Sequence, residues 1–269
     1  MSTVRMLFFG DLMGQPGCSM FQKYACKLKQ LYNADAVIVN GENSASNGRG
    51  ISPKTYNAMK HNGADIITGG NHSFHQRDSH ILLAEKKDVL RPLNFPNECP
   101  GRGVTTFQVN GQTIGIVNVQ GRIFMREQLS CPFKAVDSAL TYLKSHTNMI
   151  IVDMHAETTS EKSGMAYYLD GRVSAVLGTH THVQTADHRV LPGGTAFITD
   201  AGMAGALNSM IGMEKEAILR NMTTQLPVRF SVDHEPPYVI SGVVLDVNCK
   251  TGNATSIEPF RVTEEKKII

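Results

Sequence analysis

Residues 174–182 read Ser-Ala-Val-Leu-Gly-Thr-His-Thr-His, a short apolar run that ends in two histidines one residue apart. The apolar run is typical of a buried strand. On extended backbone, alternate side chains point to the same face, so the imidazoles of His180 and His182 can reach one site and bind adjacent metal ions. The stretch therefore predicts a strand and, at its carboxyl end, a metal site.

Apolar runs of the same kind recur along the chain, and each ends in polar or glycine-rich residues. The predicted strands are Val4–Gly10, Ala36–Asn40, Asp65–Thr68, Met149–Asp153, Ser174–Gly178 and Ala196–Thr199. Segments with helical periodicity lie between several of them, namely Ser19–Tyr32, Ser52–Asn62, Ala135–Ser145 and Glu214–Met222. This alternation is typical of βαβ units and predicts a layered α/β fold.

Two stretches predict antiparallel pairing instead. Asn110-Gly111 lies between the apolar strands of Val104–Val119 and is a strong two-residue hairpin signal. Pro227–Val232 followed by Val239–Val247 predicts a second pair, so the sheet is expected to be mixed. No linker rich in Pro, Gly or Ser divides the chain, which predicts a single domain over residues 1–269 with a frayed, charged end at Glu264–Ile269.

Composition narrows the class of protein. The 269 residues are 41% apolar and 19% charged, which is globular, and the net charge of +2 provides no long-range field for extended nucleic-acid binding or membrane binding. No apolar run approaches the roughly 18–20 residues that span a bilayer. The five cysteines have no C-x-x-C spacing, and the chain starts without a signal-peptide pattern, so reduced thiols in a cytoplasmic protein are expected.

Metal-binding side chains also follow four other predicted strands. Each of these clusters, taken alone, has an ordinary explanation as a turn or a helix cap. Residues at the carboxyl ends of strands converge in open α/β sheets, however, and independent turns give no reason for all of these side chains to occur there. The candidate ligands are Asp11, Glu42, Asn43, Asn71, His155, His180 and His182. The remaining histidines, apart from His72, are interpreted as surface or core residues: His61, His75, His80, His146, His188 and His234.

Taken in order, the motifs G-D, G-E-N, G-N-H, D-x-H-A-E and G-T-H-T-H resemble the calcineurin-like metallophosphoesterase superfamily. They are most similar to its bacterial YmdB-type phosphodiesterases, and longer matches such as Asn94-Phe95-Pro96 extend the resemblance over nearly the whole chain. The resemblance implies a layered sandwich of mixed β-sheets flanked by helices. The sequence departs from the superfamily's usual first motif, D-x-H, because Met13 occupies the position of the histidine. Methionine is a poor ligand for a hard cation.

The resemblance implies two divalent metal ions bridged by Glu42. Asp11, Glu42, Asn43 and His182 would hold the first ion, with Asn43 replacing the missing ligand, and Glu42, Asn71, His155 and His180 would hold the second. A mixed set of oxygen and nitrogen donors suits Fe, Mn or Zn about equally, and Fe or Mn is expected.

The activity that the resemblance implies is hydrolysis of phosphodiesters, with 2′,3′-cyclic nucleotides such as 2′,3′-cyclic AMP as the leading substrate. Two cations about 3.5–4 Å apart can produce a bridging hydroxide that attacks phosphorus, and His72 would then protonate the departing alkoxide. Two alternatives stay open: a phosphomonoesterase or protein phosphatase with the same metals, and a regulatory module that binds a nucleotide or RNA with little turnover. The expected partner is a small nucleotide substrate, and the sequence is compatible with a homo-oligomer.

Overall fold

The structure of the protein is a computed structural model that describes residues 2–264. Its strands are β1 (Thr3–Phe9), β2 (Asp11–Leu12), β3 (Ala36–Asn40), β4 (Ile66–Thr68), β5 (Val104–Val109), β6 (Gln112–Gln120), β7 (Met149–His155), β8 (Ala175–Thr179), β9 (Arg189–Val190), β10 (Ala196–Ile198), β11 (Met203–Ala206), β12 (Tyr238–Asn248) and β13 (Ala254–Thr263). Its helices are α1 (Gly14–Leu31), α2 (Pro53–His61), α3 (Ser79–Glu85), α4 (Pro132–Leu143), α5 (Thr159–Leu169) and α6 (Lys215–Thr224).

The strands form two mixed sheets. The first has the order β2-β11-β12-β1-β3-β4, with β13 also paired to β12, and the second has the order β5-β6-β7-β8-β10-β9. In the first sheet β1 pairs antiparallel with β12 and parallel with β3. In the second sheet β6 pairs antiparallel with β5 and parallel with β7. The predicted mixture of parallel and antiparallel pairs is therefore confirmed.

The two sheets pack face to face through apolar side chains that alternate along the strands. On β1, Met6 and Phe8 face the second sheet, where they share one buried cluster with Ile116 of β6 and Ile151 of β7. Leu7, between them, belongs to a different cluster on the opposite face. This period of two is the one expected of pleated strands with both faces buried.

Helices cover the outer face of each sheet. Phe21 of α1 and Met59 of α2 pack on the outer face of the first sheet. Leu140 of α4 and Met165 of α5 pack on that of the second. The expected layered sandwich of mixed sheets flanked by helices is confirmed, and no helix within residues 2–264 is long and apolar enough to cross a membrane.

One predicted hairpin is confirmed and one predicted pair is wrong. Asn110 and Gly111 connect β5 to β6 with φ angles of 51° and 77°, which the Asn-Gly pair accommodates easily. Residues 227–232 form no strand apart from an isolated bridge at Val232, and β12 pairs with β1, β11 and β13. Val228, Phe230 and Val232 alternate as in a strand, but the segment before Val232 is largely exposed, and β13 takes the position beside β12. Of the predicted frayed end, residues 265–269 lie outside the described residues.

Parallel neighbours end at matching positions, which places their following loops together. In the first sheet Asn40 of β3 lies opposite Thr68 of β4. In the second sheet His155 of β7 lies opposite Thr179 of β8. The residues that follow these four strand ends form the site described next.

Candidate metal centre

The structure brings the predicted ligands together at one edge of the sandwich, and each sheet supplies one kind of donor. The first sheet supplies the oxygen donors, from β2 and from the loops after β3 and β4: Asp11, Glu42, Asn43 and Asn71. The second supplies the nitrogen donors, from β7 and from the loop after β8: His155, His180 and His182. Ligand atoms of Glu42, His155 and His180 all lie within 4.8 Å of one another, as one cation requires.

Glu42 lies in the middle of this arrangement and is 1% exposed. Its Oε1 is 3.0 Å from Nε2 of His155, and its Oε2 accepts a hydrogen bond from the backbone N–H of His72 at 2.9 Å. The Oδ1 of Asn71 is 3.0 Å from the same His155 nitrogen. A Cβ atom on Gly70 would overlap both Glu42 and His155, so the close approach requires glycine at this position.

A second group of donors surrounds His182. Its Nε2 lies 3.3 Å from Oδ1 of Asn43 and 3.7 Å from Oδ1 of Asp11. Met13 lines the same cavity but lies at the position where the superfamily's commonest motif has a histidine. The oxygen of Asn43 faces His182. Asn43 is the residue that the family resemblance suggests as a replacement for the missing histidine ligand.

The charges of the site suit a bound cation. Burial raises the pKa of Asp11 to about 6, and its buried Oδ1 has no hydrogen-bond partner. A carboxylate oxygen that is buried without a donor is costly, and a bound cation would remove that cost. The donor set of carboxylate, amide and imidazole groups also matches divalent Fe, Mn or Zn, so the residues present fit a metal.

In the buried pair of Glu42 and His155, each side chain shifts the pKa of the other. Burial alone would raise the pKa of Glu42, but the adjacent His155 outweighs it and holds that pKa below its usual range. Burial would lower the pKa of His155, but Glu42 outweighs it and raises the value to about 9. Burial lowers the pKa of His180 to about 3, so its ring is neutral, as a metal ligand must be.

Hydrogen bonds to the Nδ1 atoms of His155 and His182 fix the orientation of both rings. Nδ1 of His155 lies 2.9 Å from Oγ1 of Thr179, which in turn donates to Asp153 at 2.7 Å. Nδ1 of His182 lies 2.8 Å from the backbone carbonyl oxygen of Ile211, which can only accept. That nitrogen therefore carries the proton and leaves Nε2 with its lone pair directed into the site.

The backbone at the two histidines after β8 differs from the prediction. His180 and His182 have φ angles of 95° and 64°, so the expected extended backbone there is wrong. The rings approach the site because the chain turns through the left-handed region at both residues, which is unfavourable for residues with a Cβ atom. Such a conformation persists only where neighbouring contacts hold it.

A buried ion pair provides those contacts through Thr181. Oδ2 of Asp200 accepts hydrogen bonds from the backbone N–H of Thr181 at 3.0 Å and from its hydroxyl at 2.7 Å. Nζ of Lys162 lies 2.8 Å from the same oxygen and 3.1 Å from the Thr181 hydroxyl. The prediction assigned no role to Lys162 or Asp200, although a lysine on an otherwise buried helix face is the signal that could have identified it.

His72 lies at the rim of the metal cavity, which Arg49 also lines. Its Nδ1 is 3.1 Å from Nδ1 of His75, one of the histidines interpreted as a surface residue, and His75 is indeed exposed. Burial lowers the pKa of His72. Arg49 was not predicted, and a single arginine in a glycine-rich loop has no pattern that would distinguish it.

Two larger cavities flank the metal cavity, whose volume is about 130 Å³. A cavity of about 730 Å³ shares Arg49 with it and is also lined by Glu214, Arg229 and His234. Another, of about 480 Å³, shares His182 and Ile211 with it and is lined mainly by apolar side chains. The metal centre therefore has a polar flank and an apolar flank.

A model of the YmdB-like protein family matches residues 7–260. The chain belongs to this family. It is 43% identical over 262 residues, 97% of this chain and 98% of the relative, to the 2′,3′-cyclic-nucleotide 2′-phosphodiesterase of Bacillus subtilis.

Two solved structures of similar chains share the fold of this YmdB-like protein. The crystal structure of a phosphatase from Mycoplasma pneumoniae has a TM-score of 0.91 at 36% identity, covering 98% of this chain and 94% of that one. A protein from Thermus thermophilus has a TM-score of 0.88 at 38% identity, covering 97% and 100% of the two chains. Over almost their full length, these YmdB-like relatives have the same arrangement of sheets and helices.

Proposed function

We propose that this protein hydrolyses the phosphodiester bond of 2′,3′-cyclic nucleotides, such as 2′,3′-cyclic AMP, with the help of two divalent metal ions. The B. subtilis relative, 43% identical to this chain, is named for that substrate class. The observation that carries the metal dependence is the unpartnered oxygen of Asp11 beside the converging donors of both sheets. A bound cation would give that buried oxygen a partner.

The two groups of donors correspond to two ions that share Glu42. Asp11, Asn43 and His182 would complete the first set, and Asn71, His155 and His180 the second. Fe or Mn is the proposed metal, with Zn as a third candidate. The ions would neutralise the non-bridging oxygens of the phosphodiester and make a bound water acidic enough to attack near neutral pH.

The protein's own groups complete the reaction. His72 lies at the rim with a backbone N–H bonded to Glu42, and the protonated form of its ring, which the lowered pKa makes a minor form near neutral pH, would protonate the departing alkoxide. Arg49, on the same rim, carries a positive charge that would attract the phosphate. The Lys162–Asp200 pair would keep His180 and His182 directed at the ions through Thr181.

A panel of substrates tests the proposal against its two alternatives. The protein loaded anaerobically with Mn²⁺ or Fe²⁺ is incubated with 2′,3′-cyclic AMP, bis-p-nitrophenyl phosphate and p-nitrophenyl phosphate at equal concentrations. The proposal requires faster hydrolysis of the diesters than of the monoester. A dominant monoester rate would indicate a phosphomonoesterase, and tight nucleotide binding without turnover would indicate a regulatory module.

The proposed enzyme acts in the cytoplasm. All five cysteines are free thiols, which suits a reducing compartment. Its partner in this proposal is the small nucleotide substrate, and the net charge of +2 gives no electrostatic support for extended nucleic acid.

A further inference from the structure

The apolar cavity beside the metal centre has no role in the reaction described above. Its volume of about 480 Å³ falls within the roughly 300–1,000 Å³ of small-molecule sites. Because His182 and Ile211 line both this cavity and the metal cavity, the two spaces adjoin. A ligand whose phosphate lies at the metal centre is therefore close enough to extend into the apolar cavity.

The lining suits a flat aromatic ring. Met203 and Val239 are 8% and 3% exposed and form part of the buried wall, whereas Met222 is 59% exposed at the mouth. Met210 belongs to the same lining. Methionine thioethers are polarisable and make favourable contacts with aromatic rings, and their flexible side chains adapt to the shape of the ring.

Arg261 adds a polar group to this lining. Among residues 2–264 its guanidinium has no hydrogen-bond or ion-pair partner, and the side chain is exposed. An unpaired guanidinium can stack on an aromatic ring or donate to ring nitrogens and exocyclic oxygens. A mainly apolar cavity with a few polar groups, here Arg261 with Gln184, Ser209 and Ser241, is the combination expected of a site for a heterocyclic base.

The cavity on the other flank is more strongly charged. Glu214, Arg229 and His234 line it beside the apolar Val228, Phe230 and Val232, and Arg49 connects it to the metal cavity. Charged walls suit hydrated groups and do not favour a buried base. The difference in charge between the two flanks therefore favours one orientation of a nucleotide across the site.

We infer that the apolar cavity binds the nucleobase of the substrate while the cyclic phosphate lies at the metal centre. This inference rests on the proposed function and makes it more specific, because it assigns the substrate's base to the side of Met210 and Met222. The base then contributes to substrate affinity and orientation, whereas a phosphodiester without a base uses the metal centre alone.

Two variants on the same helix form a matched pair for a kinetic test. Met222 and Leu219 both lie on α6 and are 59% and 50% exposed, but only Met222 lines the cavity. Met222→Lys should lower kcat/KM for 2′,3′-cyclic AMP by roughly tenfold or more and leave that for methyl riboside 2′,3′-cyclic phosphate, which has the cyclic phosphate but no aromatic ring, within about twofold. Leu219→Lys should change neither value. Equal loss on both substrates, no loss on either, or the same loss in Leu219→Lys would overturn the inference.

A second measurement needs no turnover. The protein has 13 methionines, whose methyl groups can be labelled with ¹³C and followed by NMR while adenosine 3′-monophosphate is added. The methyl signals of Met203, Met210 and Met222 should shift, because a bound purine ring changes the local magnetic field, and that of the fully buried Met165 should not. No shift, or shifts confined to Met13 and Met213 of the metal cavity, would overturn the inference.

The two experiments separate failure of this inference from failure of the proposed function. If the metal-loaded wild type hydrolyses neither diester, the proposed function is wrong, and the methyl shifts still report whether the cavity binds a base. If it hydrolyses both diesters but the base makes no difference, only the inference is wrong. A second copy of the chain in the cavity is a further outcome against it: the Met222 signal would then depend on protein concentration, and light scattering would give twice the monomer mass.

Discussion

Nζ of Lys162 lies 2.8 Å from Oδ2 of Asp200, and both side chains have no solvent exposure. This ion pair supports Thr181 between His180 and His182 and so connects the helix after β7 to the loop after β8. Losing one partner leaves the other charge buried and unpaired, which costs far more than losing an exposed pair.

Lys162→Met is therefore expected to lower the free energy of unfolding by about 3–5 kcal/mol. It should also weaken metal binding, because the loop that holds His180 and His182 loses its support. Urea denaturation and metal titration measure the two effects. Lys23→Ala is the control, since Lys23 is half exposed and pairs with Glu264 at the surface, where such a pair contributes little to stability. Equal effects of the two substitutions would argue against the role of the buried pair.

His155→Ala and His182→Ala should each remove metal and activity together, whereas His72→Ala should keep the metal and lose turnover. A general acid contributes roughly 100-fold to 10,000-fold to rate, so kcat of the His72 variant should fall by that factor. Elemental analysis and the phosphodiesterase rate on the same samples make the distinction. His146→Ala, at an exposed position, serves as the control. Full turnover by a His182→Ala protein that contains no metal would contradict the proposed site.

Alanine substitutions at two glycines are expected to have different effects on metal binding and stability. Gly70→Ala should abolish metal binding because its Cβ would overlap Glu42 and His155. Gly111→Ala, in the hairpin turn at φ 77° with no atom within 4 Å of the added Cβ, should reduce stability by about 1–2 kcal/mol and leave activity unchanged. Thermal unfolding and metal content separate the two variants. A Gly70→Ala protein with normal metal content would show that the close approach is not required.

Arg49→Ala should raise KM for phosphodiesters by about tenfold or more, because a charged group on the substrate loses its charged partner. Arg49→Lys should recover part of the loss in affinity, because lysine keeps the positive charge. It should not recover all of it, because lysine lacks the planar guanidinium that can donate two parallel hydrogen bonds. Arg229 lines the polar cavity but not the metal cavity, so Arg229→Ala is the matched control and should change KM little. A larger increase in KM for Arg229→Ala than for Arg49→Ala would contradict the proposed position of the phosphate beside Arg49.

The sequence alone predicted the layers of the fold and where the ligands would meet. Both follow from local patterns: the apolar run of β8 and the donors that follow it are adjacent in sequence, and strands of this kind align their carboxyl ends. The strand β13 was missed because its buried residues Ala254, Ile257 and Phe260 are three residues apart and do not alternate as in a regular strand, and because the exposed Pro259 weakens the strand signal. The single domain over residues 1–269 stays a prediction.

The finer geometry of the site depends on contacts that no local pattern contains. The local sequence around His180 and His182 does not indicate their left-handed backbone conformation. That conformation depends on Asp200, which is distant in sequence and contacts Thr181 only in the folded chain. The hydrogen bond between His182 and the carbonyl oxygen of Ile211 is equally non-local. Sequence patterns indicated which residues meet, and tertiary contacts determine how they are oriented.

The separation of the donors by sheet has a mechanical consequence. The proposed oxygen ligands come from one layer of the sandwich and the proposed nitrogen ligands from the other. An ion bound between them would therefore connect the two sheets as a removable cross-link, comparable to a disulfide. Chelation should then loosen the seam between the layers at that edge first, and amide hydrogen exchange should accelerate around Asn40 and His155 before it does at the opposite ends of the same strands.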